Sequence, residues 1–310
     1  MKIVFVVNNK NNRLAKILPK LYQACDRSDF GAVEFKYTAG RKHAIELGRN
    51  AAVNGCDFLI GVGGDGTLYE LVNGMFQSEI PPQELPVLGL LPYGSANDFA
   101  RSAGINDSID DMIAMILTNS TKKIDLGRIV LKQNQEIHFF ANIAGVGLGP
   151  EVVKSMEQSA RILSPGFDYF RSILKGFLRY QKTKVSCSCG TWQWEGKLLQ
   201  MAVANGRFFG NAICVAPNAV LDDGFFQLVI FGDLSIWDYL KNLGKLKKGF
   251  KIIHPEVHYY KAKEIVLESK EPCGIEADGE YVGLLPATIS ITPGVIRFLM
   301  PSEHNLNPIF

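Results

Sequence analysis

The chain is predicted to fold as an N-terminal α/β domain with a parallel sheet and crossover helices, followed by a β-rich, sandwich-like C-terminal domain, with a cleft between them. Three observations carry this. Roughly the first 120 residues alternate short apolar strands with helical patterns. Near Lys122 the rhythm changes to strands rich in Val, Ile, Phe and Tyr divided by Gly and Asp turns. The length of 310 residues favours two cores over one. The change of pattern places the domains at 1–124 and 125–294, with the segment 295–310 a candidate to rejoin the first.

In the first domain, residues 2–7, 33–37, 57–62 and 87–91 read as strands. Between them, 14–24, 43–53 and 68–76 carry apolar or small residues at three- and four-residue spacing, which marks a helix packed on one face. Further helices are expected over 97–102 and 110–117, and helix-like stretches interrupt the second domain at 150–160, 167–181 and 235–249.

Composition narrows the function class. With 47% hydrophobic and 21% charged residues the chain is globular, and a net charge of +2 is too small for a general nucleic-acid binder. The six cysteines are scattered, and the Cys187-x-Cys189 pair is not a usual zinc spacing, so they read as reduced thiols. The start MKIVFVVNNKNNR has too short an apolar run for a secretory signal, and no stretch approaches the roughly 20 apolar residues of a membrane span. A cytoplasmic protein with at most peripheral membrane contact is expected. His43, His138, His254, His258 and His304 show no ligand-like spacing.

The most informative stretch is Asp57-Phe-Leu-Ile-Gly-Val-Gly-Gly-Asp-Gly-Thr67, a buried strand running through a glycine-rich turn onto a helix. Glycines let backbone N–H groups approach a phosphate closely, and the helix N-terminus adds the positive end of its dipole. Asp65 in such a loop would repel phosphate unless Mg²⁺ stands between them, directly or through water. The alternative is that Asp65 and Thr67 only cap the helix beginning near Leu68, although four glycines in six positions exceed what a cap needs. A second loop, Leu90-Leu-Pro-Tyr-Gly-Ser95-Ala-Asn97-Asp98-Phe-Ala-Arg101, again joins strand to helix. Ser95 or Asn97 alone would be an N-cap; paired with the first loop across one crevice of a parallel sheet, they join the ligand site.

Taken with the Asp125-Leu-Gly127 turn, these loops resemble the diacylglycerol kinase catalytic domain and its bacterial lipid-kinase relatives. The later half is similar too, with Ala216-Pro-Asn-Ala-Val-Leu-Asp-Asp-Gly-Phe225 and Ile275-Glu-Ala-Asp-Gly-Glu-Tyr281 at the family's LDDG and DGE positions. The resemblance implies ATP contacts at Thr38, along Gly64, Asp65, Gly66, Thr67, Leu68, Tyr69 and Glu70, and at Ser95, with Asn97 in the same loop. It implies an acidic base from the DGE motif, Glu280 favoured, with Asp278 close by and Asp65 helping to place Mg²⁺. It also implies a structural Mg²⁺ on Asp223 and the carbonyls of Val220 and Phe225. Both carboxylate motifs have a plainer reading as turns, Asp278-Gly279 in a hairpin and Asp223-Gly224 before a strand.

The sequence departs from the family pattern in three places. Asn8-Asn9-Lys10-Asn11-Asn12 replaces Asn-Pro-x-x-Gly, Tyr69 stands for an Asn, and Ser95 for a Thr. Two stretches mix basic and apolar residues: Arg161, Arg171, Lys175, Arg179 and Lys182 with Phe167, Tyr169, Phe170, Phe177 and Tyr180, and five lysines in 241–251 around Leu243, Leu246 and Phe250. Either could dock on anionic lipid, or be a core helix with a solvated basic face. A lipid kinase acting on a diacylglycerol-type acceptor is therefore expected. The alternatives are a soluble kinase of the NAD kinase or phosphofructokinase type and a catalytically silent lipid-binding protein.

Overall fold

The computed structural model describes residues 1–9, 14–28, 30–158, 171, 175–176, 180–190 and 192–301. The chain separates into two compact units, one of Met1–Ile124 with the chain from Gly294 onward, the other of Asp125–Pro293.

The first unit is built on β1 (Lys2–Val7), β2 (Ala32–Tyr37), β3 (Phe58–Gly63) and β4 (Val87–Pro92), paired in parallel in the order β2-β1-β3-β4. A last strand, β18 (Ala287–Leu299), enters this unit at Gly294 and sets Phe298 beside Leu88 of β4. Every residue of β3 and β4 is buried, as expected of central parallel strands covered on both faces. The covering helices are α1 (Leu14–Arg27), α2 (His43–Val53), α3 (Asp65–Phe76), α4 (Asp98–Ala103) and α5 (Ile109–Leu117). The apolar faces of α1 and α5 join Ile3, Phe5, Ile60, Val62 and Leu91 in one core.

Two glycines set how closely α2 and α3 pack. A Cβ on Gly74 would lie 2.1 Å from the Ile45 carbonyl oxygen, and one on Gly48 would lie 3.1 Å from that of Leu71. Backbone therefore meets backbone, which brings Glu70 in the middle of α3 within reach of the start of α2.

The second unit is antiparallel. One sheet runs in the order β14 (Val257–Ala262), β13 (Phe226–Phe231), β10 (Gln200–Ala204), β7 (Ile143–Gly147), β16 (Gly274–Ala277) and β17 (Glu280–Leu284). The other joins the first half of β18 to β15 (Glu264–Ser269), β8 (Thr183–Cys189) and β9 (Trp192–Leu198), with β5 (Thr121–Leu131) and β6 (Ile137–Phe140) beside it. Phe140 of β6 stacks on Phe226 of β13 at 5.7 Å between ring centroids, a direct link between the two sheets. Gly127 leaves room for that ring, because a Cβ there would lie 2.0 Å from Phe140 Cζ. The short antiparallel pair β11 (Phe208–Phe209) and β12 (Ile213–Cys214) and the helices α6 (Leu148–Gln158) and α7 (Ile236–Lys247) complete the unit.

The α/β and β-rich classes are those the pattern of the sequence predicts. Element ends shift by a few residues, and one shift matters. Helix α3 starts at Asp65 and not near Leu68, because Gly64 takes the extended N-cap conformation (φ −122°, ψ −162°) and the helix begins inside the glycine loop. The expected helix over 167–181 lies largely outside the described residues. All six cysteines are free thiols, and burial pushes Cys56 and Cys187 up to about 12.

Candidate active site

The two loops expected to hold a nucleotide touch through their backbones. A Cβ on Gly64 would stand 2.7 Å from Gly94 Cα, and one on Gly94 would stand 2.3 Å from Gly64 Cα. Only glycine at both positions allows this approach, which places the start of α3 and the turn before α4 side by side at the C-terminal edge of the parallel sheet. Gly63 is required for a different reason: its Cβ would lie 2.3 Å from Thr67 Oγ1.

Asp65 acts across this junction. Its Oδ1 accepts the backbone N–H of Phe99 at 2.9 Å and its Oδ2 that of Asp98 at 3.1 Å, so it caps α4, not its own helix. Burial pushes its carboxyl above the ordinary range, opposed by these same N–H groups. Each oxygen holds one amide of α4, so Asp65 ties the two loops together. Glu70 is committed likewise. Its two oxygens accept the N–H groups of Lys42 (2.8 Å) and Ala44 (2.9 Å) and cap α2.

The remaining nucleotide candidates fall into three groups. Asn97, in the left-handed region at φ 54°, ties its own turn by accepting from the Gly94 N–H (2.9 Å) and donating to the Pro92 carbonyl (2.8 Å). Thr38, just after β2, and Thr67, in the first turn of α3, are both buried; Thr67 Oγ1 accepts from Asn8 Nδ2 (3.2 Å) and Thr38 Oγ1 from the Asn9 N–H (3.3 Å). Leu68 and Tyr69 are buried, whereas Gly64 and Gly66 are partly exposed and Ser95 is exposed at its loop tip. Backbone amides of the loop and the Ser95 hydroxyl are thus the groups best placed for a phosphate, since a helix has no internal acceptor for its first N–H groups. Lys10, Asn11 and Asn12 lie outside the described residues.

In the second unit the DGE motif forms a hairpin turn between β16 and β17, with Asp278 at φ 49° and Gly279 at φ 84°. Asp278 is buried, and its carboxylate accepts three backbone N–H groups, from Ala141 (2.8 Å), Asn142 (3.0 Å) and Ile143 (3.0 Å). Such a cradle anchors the turn to the β6–β7 connection. Asp278 thus holds the turn in place, and Glu280, two residues on, is partly exposed.

A carboxylate missed by motif reasoning stands beside them. Glu276 is buried in β16, accepts the Gly279 N–H through Oε2 at 2.8 Å, and is pushed up to about 8. Burial is the main cause, the Gly279 N–H opposes it, and the charges of Asp278 and Glu280 add to it. The available signal was a lone acid in the otherwise apolar strand Gly274-Ile-Glu-Ala277.

The Asp125-Leu-Gly127 segment, expected as a turn, lies within β5. Asp125, buried, accepts the Gly224 N–H through Oδ2 at 2.7 Å and donates its own N–H to the Leu221 carbonyl at 2.7 Å, shaping the LDDG loop. That loop does not fit a structural Mg²⁺ in this arrangement. Asp223 Oδ1 accepts the Phe225 N–H at 3.0 Å, and Oδ2 accepts from Lys261 Nζ at 2.9 Å, so a lysine ammonium already balances the carboxylate. Val220 is exposed, and the Lys261 and Lys263 ammoniums lie 5.2 and 4.8 Å from the Phe225 ring centroid. Among the described residues no group of three or more His, Cys, Asp or Glu is arranged to hold a metal.

Known proteins show the same two parts. Residues 2–129 match the diacylglycerol kinase catalytic domain, and residues 144–300 match the YegS C-terminal NAD kinase beta sandwich-like domain. The diacylglycerol kinase of Bacillus subtilis (strain 168) is 26% identical over 291 residues, 94% of this chain and 91% of the relative. That of Staphylococcus epidermidis (strain ATCC 12228) is 31% identical over 252 residues, 80% of this chain and 75% of the relative. A crystal structure of a diacylglycerol kinase from Bacillus anthracis str. Sterne shares the fold, with a TM-score of 0.69 at 21% identity over 97% of both chains. The chain belongs to the diacylglycerol kinase family and its YegS-type lipid-kinase relatives.

Proposed function

We propose that this chain is an ATP-dependent lipid kinase that transfers the γ-phosphoryl group to a lipid hydroxyl, with a diacylglycerol-type acceptor. The backbone contact of Gly64 with Gly94 carries this reading. It sets two strand-to-helix loops side by side at one edge of the sheet, in a chain of a lipid-kinase family. Phosphoryl transfer asks the protein mainly for positioning and for neutralising charge on phosphate oxygens, and such an edge supplies both. Mg²⁺ enters with ATP as part of the substrate complex.

In the proposed reaction the acceptor oxygen attacks Pγ, the bond from Pγ to the β–γ bridging oxygen breaks, and ADP leaves. Glu280 takes the hydroxyl proton while Asp278 holds the turn that presents it. Among the described residues no helix is long and apolar enough to cross a membrane. The proposed acceptor is met at a bilayer surface by peripheral contact.

The test is transfer of labelled γ-phosphate from ATP to lipids in mixed micelles with Mg²⁺, for wild type beside Asp65→Ala and Glu280→Ala. A labelled lipid lost in both variants supports the reading and identifies the acceptor. Label on NAD or a sugar phosphate instead would favour the soluble-kinase alternative, which the NAD kinase-like description of the C-terminal match keeps in view. Lipid binding without turnover would favour a silent binding protein.

A further inference from the structure

Helix α7 and the loop after it present a surface that the fold does not use. The helix is capped by Ser235, whose Oγ accepts the Asp238 N–H at 3.1 Å, and its inner face places Tyr239 and Leu246 in the core with Leu240 and Leu243 packed beside them. Its outer face carries Trp237, Lys241, Lys245 and Lys248 at spacings of four, four and three residues, all exposed, with Trp237 at 69%. At its end Gly249 (φ 73°) turns the chain, its N–H bonding to Leu246 and that of Phe250 to Lys245. An apolar residue after such a turn ordinarily packs back on the helix. Phe250 instead stays 59% exposed. Ile252 then turns inward, its N–H held by Tyr259 Oη at 2.9 Å, and Ile253 turns outward with 99% exposure.

We infer that this surface, Trp237, Phe250 and Ile253 ringed by Lys241, Lys245, Lys248 and Lys251, docks the chain on an anionic lipid bilayer. Charge complementarity selects that occupant. The neighbouring carboxylates are already engaged: Asp238 with the Ser235 hydroxyl, Asp233 with Lys182, and Glu256 with the Asp233 N–H. The outer face is left cationic, which suits anionic headgroups and disfavours a second copy, whose own lysines would be brought against it. Three outward apolar side chains separate a bilayer from a nucleic acid, because they gain by entering the acyl boundary and find no counterpart on a phosphate backbone. The assignment deepens the lipid-kinase reading and rests on it for the need to meet a bilayer.

Sedimentation of the full chain with vesicles tests it, using phosphatidylcholine alone and phosphatidylcholine with phosphatidylglycerol. Binding is expected to the anionic vesicles only, to weaken with salt, and to fall about tenfold or more both in Lys241→Glu/Lys245→Glu and in Ile253→Asp, which keep the wild-type melting temperature. Variants that bind as wild type does, or equal binding to both vesicles, would overturn it. So would loss of oligonucleotide binding in the variants with vesicle binding unchanged. Turnover of a short-chain, water-dispersed diacylglycerol reads the kinase reading separately. Vesicle binding in the expected pattern without turnover removes that reading and leaves the surface standing, whereas turnover without selective binding does the reverse.

Discussion

Asp65 Oδ1 accepts the backbone N–H of Phe99 at 2.9 Å, so the acid of the first glycine loop is the cap of the helix that follows the second. The two loops are one unit mechanically as well as in space. Asp65→Ala would leave the Asp98 and Phe99 amides without that acceptor, and we expect a loss of about 1–3 kcal/mol in denaturant unfolding. Asp65→Asn, which keeps one acceptor, should lose less. Equal stability of all three proteins would remove the capping role.

Gly94→Ala places a methyl group 2.3 Å from Gly64 Cα and must push the loops apart. Overpacking of this kind costs about 1–3 kcal/mol, and the expected signature is nucleotide affinity reduced by about tenfold or more with the circular dichroism spectrum retained. Binding of a fluorescent ATP analogue measures it, and an unchanged affinity would detach the loop contact from nucleotide binding.

Asp278 and Glu280 should separate into structure and chemistry. Removing the Asp278 carboxylate leaves three buried amides unpaired, so Asp278→Ala is expected to lower stability by at least about 2 kcal/mol. Glu280→Gln should stay within about 0.5 kcal/mol of wild type while turnover falls about 10²–10⁴-fold. Calorimetry beside the micelle assay distinguishes them; similar losses of stability in both would contradict the division of roles.

Glu276 makes stability depend on pH. Its folded pKa is raised from 4.5 to about 8, so the folded state holds a proton that the unfolded chain has released. Its contribution is present below the unfolded value and is lost as pH rises toward about 8, with a slope no steeper than about 1.4 kcal/mol per pH unit. Denaturant melts at a series of pH values should show this decline in wild type and a flatter profile in Glu276→Gln. Parallel profiles would place the ionisation elsewhere.

With Asp223 paired to Lys261 at 2.9 Å, the LDDG loop is expected to hold its shape without a divalent ion. EDTA should leave the melting temperature of the nucleotide-free chain unchanged, and Lys261→Ala should make it rise with Mg²⁺. A Mg²⁺-dependent rise already in wild type would mean that a cation displaces the lysine.

Much of the architecture is legible in local pattern. The apolar runs of β1, β3 and β4 and the glycine-rich turn before α3 are properties of neighbouring residues, and a strand covered on both faces needs only an unbroken apolar stretch to be recognised. The start of α3 was not so legible, because whether Gly64 caps or extends the loop depends on the dihedrals that the contact with Gly94 imposes.

What sequence order could not reveal is where each acid points. Asp65 bonds to amides 33 and 34 residues ahead, Glu70 to amides 28 and 26 residues behind, and Asp278 to amides 137, 136 and 135 residues behind. The motifs single these residues out, since a carboxylate amid glycines must answer for its desolvation. Their partners are chosen by packing. A buried carboxylate is satisfied by whichever amides the folded backbone brings within about 3 Å, and that is a property of the assembled sheets and helices, not of the residues on either side.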